Sequence, residues 1–436
     1  MNDRYIAAIE IGSSKITGAV GALTPDHTLR VLALEQEESR DSVRYGIIQN
    51  PEEVAARVMR IIERLENHQA VAPRKIKGVY VGLSGRSMRS VASDVSIDFP
   101  EETDISGEIL KNLRHDAQMI ALDSNMEILD TVPRSFHIDG METTSPKGAI
   151  GKSIEAVYDV IVGRADLKRN ITRAFSERTD IAVKGLIITP LASANLVLSE
   201  EEKRLGCMLV DFGAETTTVC IYRKGALCYY ATLPLGGRNI TRDLTTLSIL
   251  EEKAEEIKCE SGRAVAREIP STLNLNGIKL SDVSNLVVAR AEEIVANVVQ
   301  QLAYAGLKEK DLPAGIVCIG GGAHLNGLTE LLENLSGMNA RMGHLPAFVQ
   351  ALENRAKRHE TIQTAAILYA GALRGADDCL EMPHQPEPDN EDTDQDTEER
   401  SPEHTPGKMG RFWRGISSGF GKIFAGPIGD DDSELD

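Results

Sequence analysis

The chain is short of the features that mark whole classes of protein. Aromatic residues make up only 4% of its 436 residues, and its single tryptophan, Trp413, stands near the C-terminal end. No run of eighteen uninterrupted apolar residues occurs, so no bilayer-spanning helix is expected. The opening "MNDRYIAAIEIGSSK" has an early acid and no apolar stretch before a cleavage site, so no signal peptide is expected. The six cysteines (Cys207, Cys220, Cys228, Cys259, Cys318, Cys379) contain no CxxC pair, which points to reduced thiols rather than a disulfide frame or a zinc site. The nine histidines form no ligand-spaced cluster, and no HExxH, nucleophile elbow or kinase catalytic loop is present. Basic charge is scarce as well. With 48 Lys and Arg against 66 Asp and Glu the net charge is −18, and nothing suggests the basic face of a nucleic-acid binder.

The acidity is uneven. Residues 377–409 carry twelve acids and two bases, residues 410–436 carry five acids and three bases, and the remaining body is only mildly acidic. The 377–409 segment has almost no large apolar residues. It cannot bury enough surface to offset chain entropy and is expected to be a disordered leash spanning about 30 Å. A body of some 376 residues is too long for one core, so two or more domains are expected.

Within that body, strand-like and helix-like segments alternate, which argues for an α/β fold. "RYIAAIEIG", "IKGVYVGLS", "EAVYDVIVG", "CMLVDFG" and "GIVCIGGG" read as strands, and "PEEVAARVMRIIERLENH" reads as an amphipathic helix with Val54, Val58, Ile61, Ile62 and Leu65 on one face. A repeat emerges when two strand ends are superposed. "IAAIEIGSSKITGAVGAL" and "CMLVDFGAETTTVCIYRK" place Glu10 on Asp211 and Gly12 on Gly213, an offset of 201 residues. Two unrelated hairpins would also give a glycine turn after a strand. The aligned acid and glycine at a domain-sized offset favour a duplicated domain.

Such turns suit phosphate. Gly12 and Gly213 let backbone approach a ligand closely, and turn N–H groups make an anion-binding nest. Ser13, Ser14, Thr216 and Thr217 add hydroxyls, and Lys15 adds a positive charge. Glu10 and Asp211 precede the turns, where carboxylates can hold Mg2+ through its water shell. Two facing turns would clamp the phosphates of a magnesium nucleotide. In "AGIVCIGGGAHLNGL" a strand runs into Gly320, Gly321 and Gly322 before a helix from about Asn326; bare backbone there could pass under a base and ribose, although such corners are commonly plain packing. "PKGAIGKSIEAVYDV" nearly spells a P-loop at Gly151, Lys152 and Ser153, but Pro146 replaces the first glycine and the following residues alternate like a strand.

Taken together, these motifs resemble the superfamily of actin, the heat-shock chaperone ATPases and the sugar kinases, and within it the FtsA family of bacterial cell-division proteins. "IEIGSSKI" looks like the first phosphate motif, "LVDFGAETTTVCIY" like the second, and "IVCIGGGAHLNGL" like the adenosine motif. "AEEIKCESG" resembles the helix whose Glu255 and Lys258 would reach ribose and base, and "SPKGAIGKSIEA" the close of an FtsA-type extra subdomain. The resemblance implies an actin-like two-lobed fold of duplicated ribonuclease H-like domains. The first domain would take residues 1–83 and 164–196, the extra subdomain 84–163, the second domain 197–233 and 301–376, and a smaller subdomain 234–300. It further implies ATP and Mg2+ as cofactors, weak ATPase activity at most, self-assembly into a polymer, and FtsZ and later divisome proteins as partners. The second turn departs from the G-G-G-T common in relatives: it reads Gly213, Ala214, Glu215, Thr216. Glu215 is therefore either a solvated turn residue or, with Glu10 and Asp211, a candidate for catalysis.

What remains is the end of the chain, "GRFWRGISSGFGKIFAGP". Phe412, Trp413, Ile416, Phe420, Ile423 and Phe424 fall on one helical face, with Arg411, Arg414 and Lys422 on or beside the other. Over residues 410–425 this is the pattern of an interfacial helix that would bind anionic lipids, followed by an acidic tail at 426–436. A helix docking into a partner's groove has the same pattern. The leash and the basic, aromatic composition favour the membrane, and the resemblance implies a peripheral place on its cytoplasmic face at the division septum. Two rivals stay open: a small-molecule kinase of the same fold, for which no substrate-side signature is present, and a pilus-assembly scaffold, which would not need this tail.

Overall fold

The computed structural model describes residues 3–267, 274, 275, 277–351, 362–375 and 377–383. β1 (Arg4–Ile11), β2 (Lys15–Leu23) and β3 (Leu29–Glu38) form an antiparallel meander. Both its faces are covered, so Ile16–Leu23 is buried without alternation. A small hairpin of β4 (Val43–Arg44) and β5 (Ile47–Ile48) leads to α1 (Pro51–Asn67). Asn50 caps α1 by accepting from the Glu53 amide, Pro51 opens it, and its apolar stripe from Val54 to Leu65 is buried as the periodicity predicts. After β6 (Lys75–Ile76), β7 (Gly78–Leu83) lies parallel to β1.

The chain then leaves this layer. β8 (Arg89–Asp104), α2 (Gly107–Ala117), β9 (Met126–Ile138), β10 (Met141–Thr143) and β11 (Ile150–Arg164) form a separate unit before α3 (Asp166–Phe175) returns to β12 (Ala182–Ile188), parallel to β7. The false P-loop lies at the start of β11, where Asp139 Oδ1 accepts from the amides of Lys152 and Ser153 at 2.9 Å each. Those amides are used internally, as the strand reading predicts.

The second half repeats the first. After α4 (Thr189–Val197) and α5 (Glu200–Leu205), β13 (Cys207–Phe212), β14 (Thr217–Arg223) and β15 (Ala226–Leu233) form a second antiparallel meander. α6 (Gly237–Thr245), α7 (Glu251–Ser261), a ribbon of β16 (Asn274–Leu275) and β17 (Ile278–Lys279), and α8 (Leu280–Tyr304) precede β18 (Ile316–Ile319), parallel to β13. α9 (Leu328–Ser336) leads to β19 (Ala340–Met342), parallel to β18. β20 (Val349–Gln350) returns to β3, and α10 (Ile362–Arg374) crosses back to the first half.

The strand orders β12-β7-β1-β2-β3 and β19-β18-β13-β14-β15 are the same, with the same senses. Even the register agrees: Glu10 faces Thr17 and Asp211 faces Thr218. The extra unit stands between β7 and β12 with no counterpart between β18 and β19. Its sheet joins the second half through Arg89 on β8 and Ala231 on β15, giving nine strands in one sheet. Arg134 on β9 secures that seam, bonding the buried Asp159 at 2.5 and 2.7 Å and the Cys228 carbonyl at 2.7 Å. The unit keeps its own core around Ile105, Leu113, Ile154 and Tyr158, while α4 and α10, apolar nearly all round, pack between the two main layers.

One expectation changes at the start of the acidic leash. Residues 377–383 lie on the body, where β21 (Leu380–Glu381) pairs with β6 and the Cys379 amide donates to the Tyr5 carbonyl at 2.8 Å. Cys379 and Leu380 are buried there, and a charge count over the whole segment hides them. Residues 384–436, with the rest of the leash, the amphipathic stretch and the acidic tail, lie outside the described residues. Among the described residues no helix is long and apolar enough to cross a membrane, and the six cysteines are free.

Candidate functional site

Each meander turns through one glycine in the same way. The Gly12 amide donates to the Lys15 carbonyl at 3.0 Å, and the Gly213 amide to the Thr216 carbonyl at 2.8 Å. A Cβ on Gly12 would stand 2.9 Å from the Lys15 oxygen, and one on Gly213 would stand 2.8 Å from the Thr216 oxygen. Both glycines are needed to close their own turns before any ligand is considered.

The acids that precede the turns meet at one helix. Thr364 Oγ1 donates to Glu10 and Gln363 Nε2 to Asp211, each at 3.2 Å, so neighbouring residues of α10 hold the acids of both halves. Burial, then the nearby Asp211 charge, raises the Glu10 carboxyl to about 7 against the pull of Thr364 and Lys15. Burial raises Asp211 to about 6 against the Gln363 hydrogen bond. A dication held through water would relieve this crowded negative charge. Among the described residues no three His, Cys, Asp or Glu side chains cluster to cage a metal, so water or ligand oxygens would complete its shell. The residues fit Mg2+ on those terms.

Around the turns the structure assembles most of the expected residues. Ser13 is buried, and its Oγ accepts from the Gly46 amide at 2.9 Å, which leaves its proton to donate; Ser14 is exposed. Lys15 opens β2, close enough to Glu10 to lower its carboxyl. Thr217 is turned away: it is fully buried and gives its hydroxyl to the Leu235 carbonyl at 2.8 Å. Thr216 is half-buried in the turn before β14. Gly320 has φ +88°, and a Cβ there would strike Asp211 Oδ1 and the Phe212 carbonyl. Gly321 and Gly322 enter a short 3-10 turn (Gly321–His324), and the helix expected from Asn326 begins at Leu328. A Cβ on Gly321 would meet nothing within 4 Å.

Glu255 and Lys258, on α7, pair with each other at 2.6 Å, and Lys258 Nζ also reaches Thr241 Oγ1 at 3.1 Å and the Gly237 carbonyl at 3.3 Å. Burial raises the Glu255 carboxyl, but the Lys258 charge and hydrogen bonds from Lys258 and Thr241 bring it below the usual range. Gly237 lies beside Lys258 and Gly322, so the third glycine corner and the α7 pair share one wall. Gly236 and Gly237 carry no motif of their own in the sequence. The Gly237 and Arg238 amides bond the Gly213 and Ala214 carbonyls at 3.0 and 2.7 Å, and Gly236 is required there because a Cβ on it would stand 2.6 Å from the Ala214 oxygen.

Glu215 is not a solvated turn residue. It is 1% exposed and clasped by Arg44, Arg238, Arg242 and the Tyr45 amide. Burial raises its carboxyl, but these donors and charges outweigh burial and hold it below the usual range. It is spent on arginine rather than directed at a metal or a water. The membrane-pattern residues Arg411 to Phe424 lie outside the described residues.

A family model described as "Cell division protein FtsA" matches residues 208–356, and one described as "SHS2 domain inserted in FTSA" matches 85–162. The "Cell division protein FtsA" of Porphyromonas gingivalis is 32% identical over 347 residues, covering 77% of this chain and 72% of that protein. Those of Pseudomonas aeruginosa and Bacillus subtilis are 29% and 28% identical, over 87% and 78% of this chain and 92% and 79% of theirs. A solved "PilM-PilN type IV pilus biogenesis complex" has a chain with a TM-score of 0.60 at 17% identity, covering 84% of this chain and 98% of its own, a likeness of fold alone. The actin-like ATPase fold expected from the motifs is therefore present, with the inserted domain.

Two predictions come from this geometry. Gly321→Leu fills space that no protein atom occupies, so the melting temperature is expected to hold within the range of surface substitutions while Mg-ATP affinity, read by calorimetry, falls at least about tenfold. Unchanged affinity would remove this corner from the site. Gly320→Ala is expected to lower the melting temperature with or without nucleotide. The second prediction concerns pH. Glu10 and Asp211 have folded values above their unfolded ones, so their contribution is largest below about pH 4 and is lost as pH rises through 6 to 7. Glu10→Gln is expected to raise the melting temperature of the ligand-free protein at pH 8 and to make little difference at pH 5. An effect equal at both pH values would contradict the raised carboxyls.

Proposed function

Because the chain belongs to the FtsA family of cell-division proteins, we propose that it clamps Mg-ATP between its two glycine turns and uses the bound state to polymerise at the cytoplasmic membrane surface, where it tethers FtsZ. The observation that carries this reading is the pair of equivalent turns, each closed by one glycine amide, whose preceding acids are held by adjacent residues of α10. The Gly12–Lys15 turn and the Gly213–Thr216 turn would donate amide and hydroxyl protons to the phosphates, with Ser13 and Thr216 the hydroxyls placed to do so. Mg2+ would offset phosphate charge beside Glu10 and Asp211. The Gly320–Gly322 corner and the Glu255–Lys258 pair would receive the nucleoside. Hydrolysis would be weak at most, because Glu215 is held by arginines and Glu10 and Asp211 would serve to hold the metal.

In this account residues 1–83 with 164–196 and residues 197–233 with 301–376 act as the two lobes, and 84–163 is the inserted subdomain. Residues 234–300 form the smaller subdomain on which the tail of FtsZ would dock. The leash beyond residue 383 lets the amphipathic stretch 410–425 reach anionic lipid, and later divisome proteins assemble on the polymer. Burying six apolar side chains of that stretch contributes on the order of 10 kcal/mol gross, much of it offset by ordering costs. Single molecules would attach weakly, and a polymer would attach by avidity. The pilus-scaffold alternative shares the fold at 17% identity, whereas the division proteins share 28–32% over most of the chain. The kinase alternative gains no substrate-side residue.

Trp413 is the only tryptophan, so its fluorescence reports the anchor without a label. Vesicles containing anionic lipid are expected to shift its emission to the blue, and Phe420→Glu is expected to abolish the shift because a carboxylate on the buried face must be desolvated. Emission that stays fixed with every lipid, including in the presence of ATP and FtsZ, would replace the membrane by a protein groove.

A further inference from the structure

Glu215 joins the two lobes. Its Oε1 accepts from Arg44 Nη1 at 2.8 Å, Arg242 Nη2 at 3.0 Å and Arg238 Nη1 at 3.4 Å, and its Oε2 accepts from the Tyr45 amide at 2.7 Å. Arg44 and Tyr45 belong to the first lobe, while Arg238 and Arg242 lie on α6 of the second. Arg44 also pairs with Asp41 at 2.8 Å and Arg238 with Glu251 at 3.1 Å, so three guanidinium groups face three carboxylates around the cleft.

The first-lobe side of this contact is a two-residue turn between β4 and β5. Tyr45 has φ +51° and Gly46 φ +75°. Their successive amides bond the two phosphate turns, Tyr45 through Glu215 and Gly46 through Ser13 Oγ at 2.9 Å. The same turn rests on the root of the inserted subdomain. The Arg86 amide donates to the Tyr45 carbonyl at 3.1 Å, and the Arg86 guanidinium stands 5.0 Å over the Tyr45 ring. A Cβ on Gly46 would lie 2.8 Å from the Ser84 oxygen, so the turn packs closely on the root. Ser87 Oγ, accepting from the Arg164 amide at 3.1 Å, ties the entry of the subdomain to its exit.

We infer that Glu215 is an interlobe latch, a positioning residue that holds the cleft closed and, through the Tyr45–Gly46 turn, couples closure to the seating of the inserted subdomain. This rests on the nucleotide reading above and deepens it. A nucleotide leaves only when the lobes part, and parting them breaks the Arg44 and Tyr45 bonds to Glu215 together. The turn then loses one of its two anchors, and the segment Ser84–Ser87 loses its support. Closure and subdomain seating therefore change as one event. The Glu215 carboxylate thereby slows nucleotide exchange and keeps the inserted subdomain seated.

The test uses the full chain and two variants, Glu215→Gln, which keeps the shape and removes the charge, and Arg44→Met, at a side chain 36% exposed, with folding of each checked by circular dichroism. Release of a fluorescent ADP analogue is followed by stopped flow, and hydrogen exchange at residues 84–89 is followed in the nucleotide-free protein. Both variants are expected to release nucleotide about tenfold faster, as suits the loss of a charge-assisted hydrogen bond across the lobes, and to exchange faster at 84–89. The double variant is expected to add little to either single one. Normal release and normal exchange in folded variants would overturn the latch. A wild-type chain that binds no nucleotide would sink the nucleotide reading alone, because the exchange comparison still decides whether Glu215 seats the subdomain.

Discussion

Everything in this structure depends on one constraint: two like carboxylates, Glu10 and Asp211, are brought together at the ends of equivalent strands and held there by Thr364 and Gln363 of α10. Burial raises both, and the arrangement is costly for a protein without a cation. In the proposed function the cation that offsets this cost is the Mg2+ of a nucleotide. Duplication explains how the geometry arose. Two copies of a five-strand order each end their first strand in an acid and then a glycine turn, so the two turns are equivalent.

The asymmetries carry the specialisation. The inserted subdomain has no counterpart in the second half, and it extends the second sheet through Arg89 and Ala231 instead of hanging free. Half-buried Arg134, bonded to buried Asp159 and to the Cys228 carbonyl, gives that seam a directional contact, whose value lies in fixing one orientation more than in net stability. The second half is enlarged elsewhere, between β15 and β18, where α7 supplies Glu255 and Lys258 and α6 supplies Arg238 and Arg242, two of the three arginines around Glu215.

Much of this was legible in the sequence, for physical reasons. Strand patterns followed by Gly12, Gly213 and Gly320 were readable because only glycine closes those turns, and α1 was readable because its cap and stripe are local. The partners of Glu215 were not: Arg44 is 171 residues away and Tyr45 contributes only its backbone, so no side-chain pattern announces either. Gln363 and Thr364 escaped for the same reason, because α10 is apolar and looks like core. The bond from the Thr217 hydroxyl to the Leu235 carbonyl was not legible, because a turn pattern does not say which of two adjacent threonines points inward. Residues 377–383 were hidden by their acidic surroundings, although Cys379 and Leu380 are the apolar pair that docks them.

The central claim, that one nucleotide is shared by two equivalent turns, is tested most directly by a crystal structure of the protein with Mg2+ and a non-hydrolysable ATP analogue. The account predicts phosphate density between residues 12–15 and 213–216, with the metal in water-mediated reach of both Glu10 and Asp211. Phosphates contacting only one of the turns, or a nucleotide bound away from both, would contradict it.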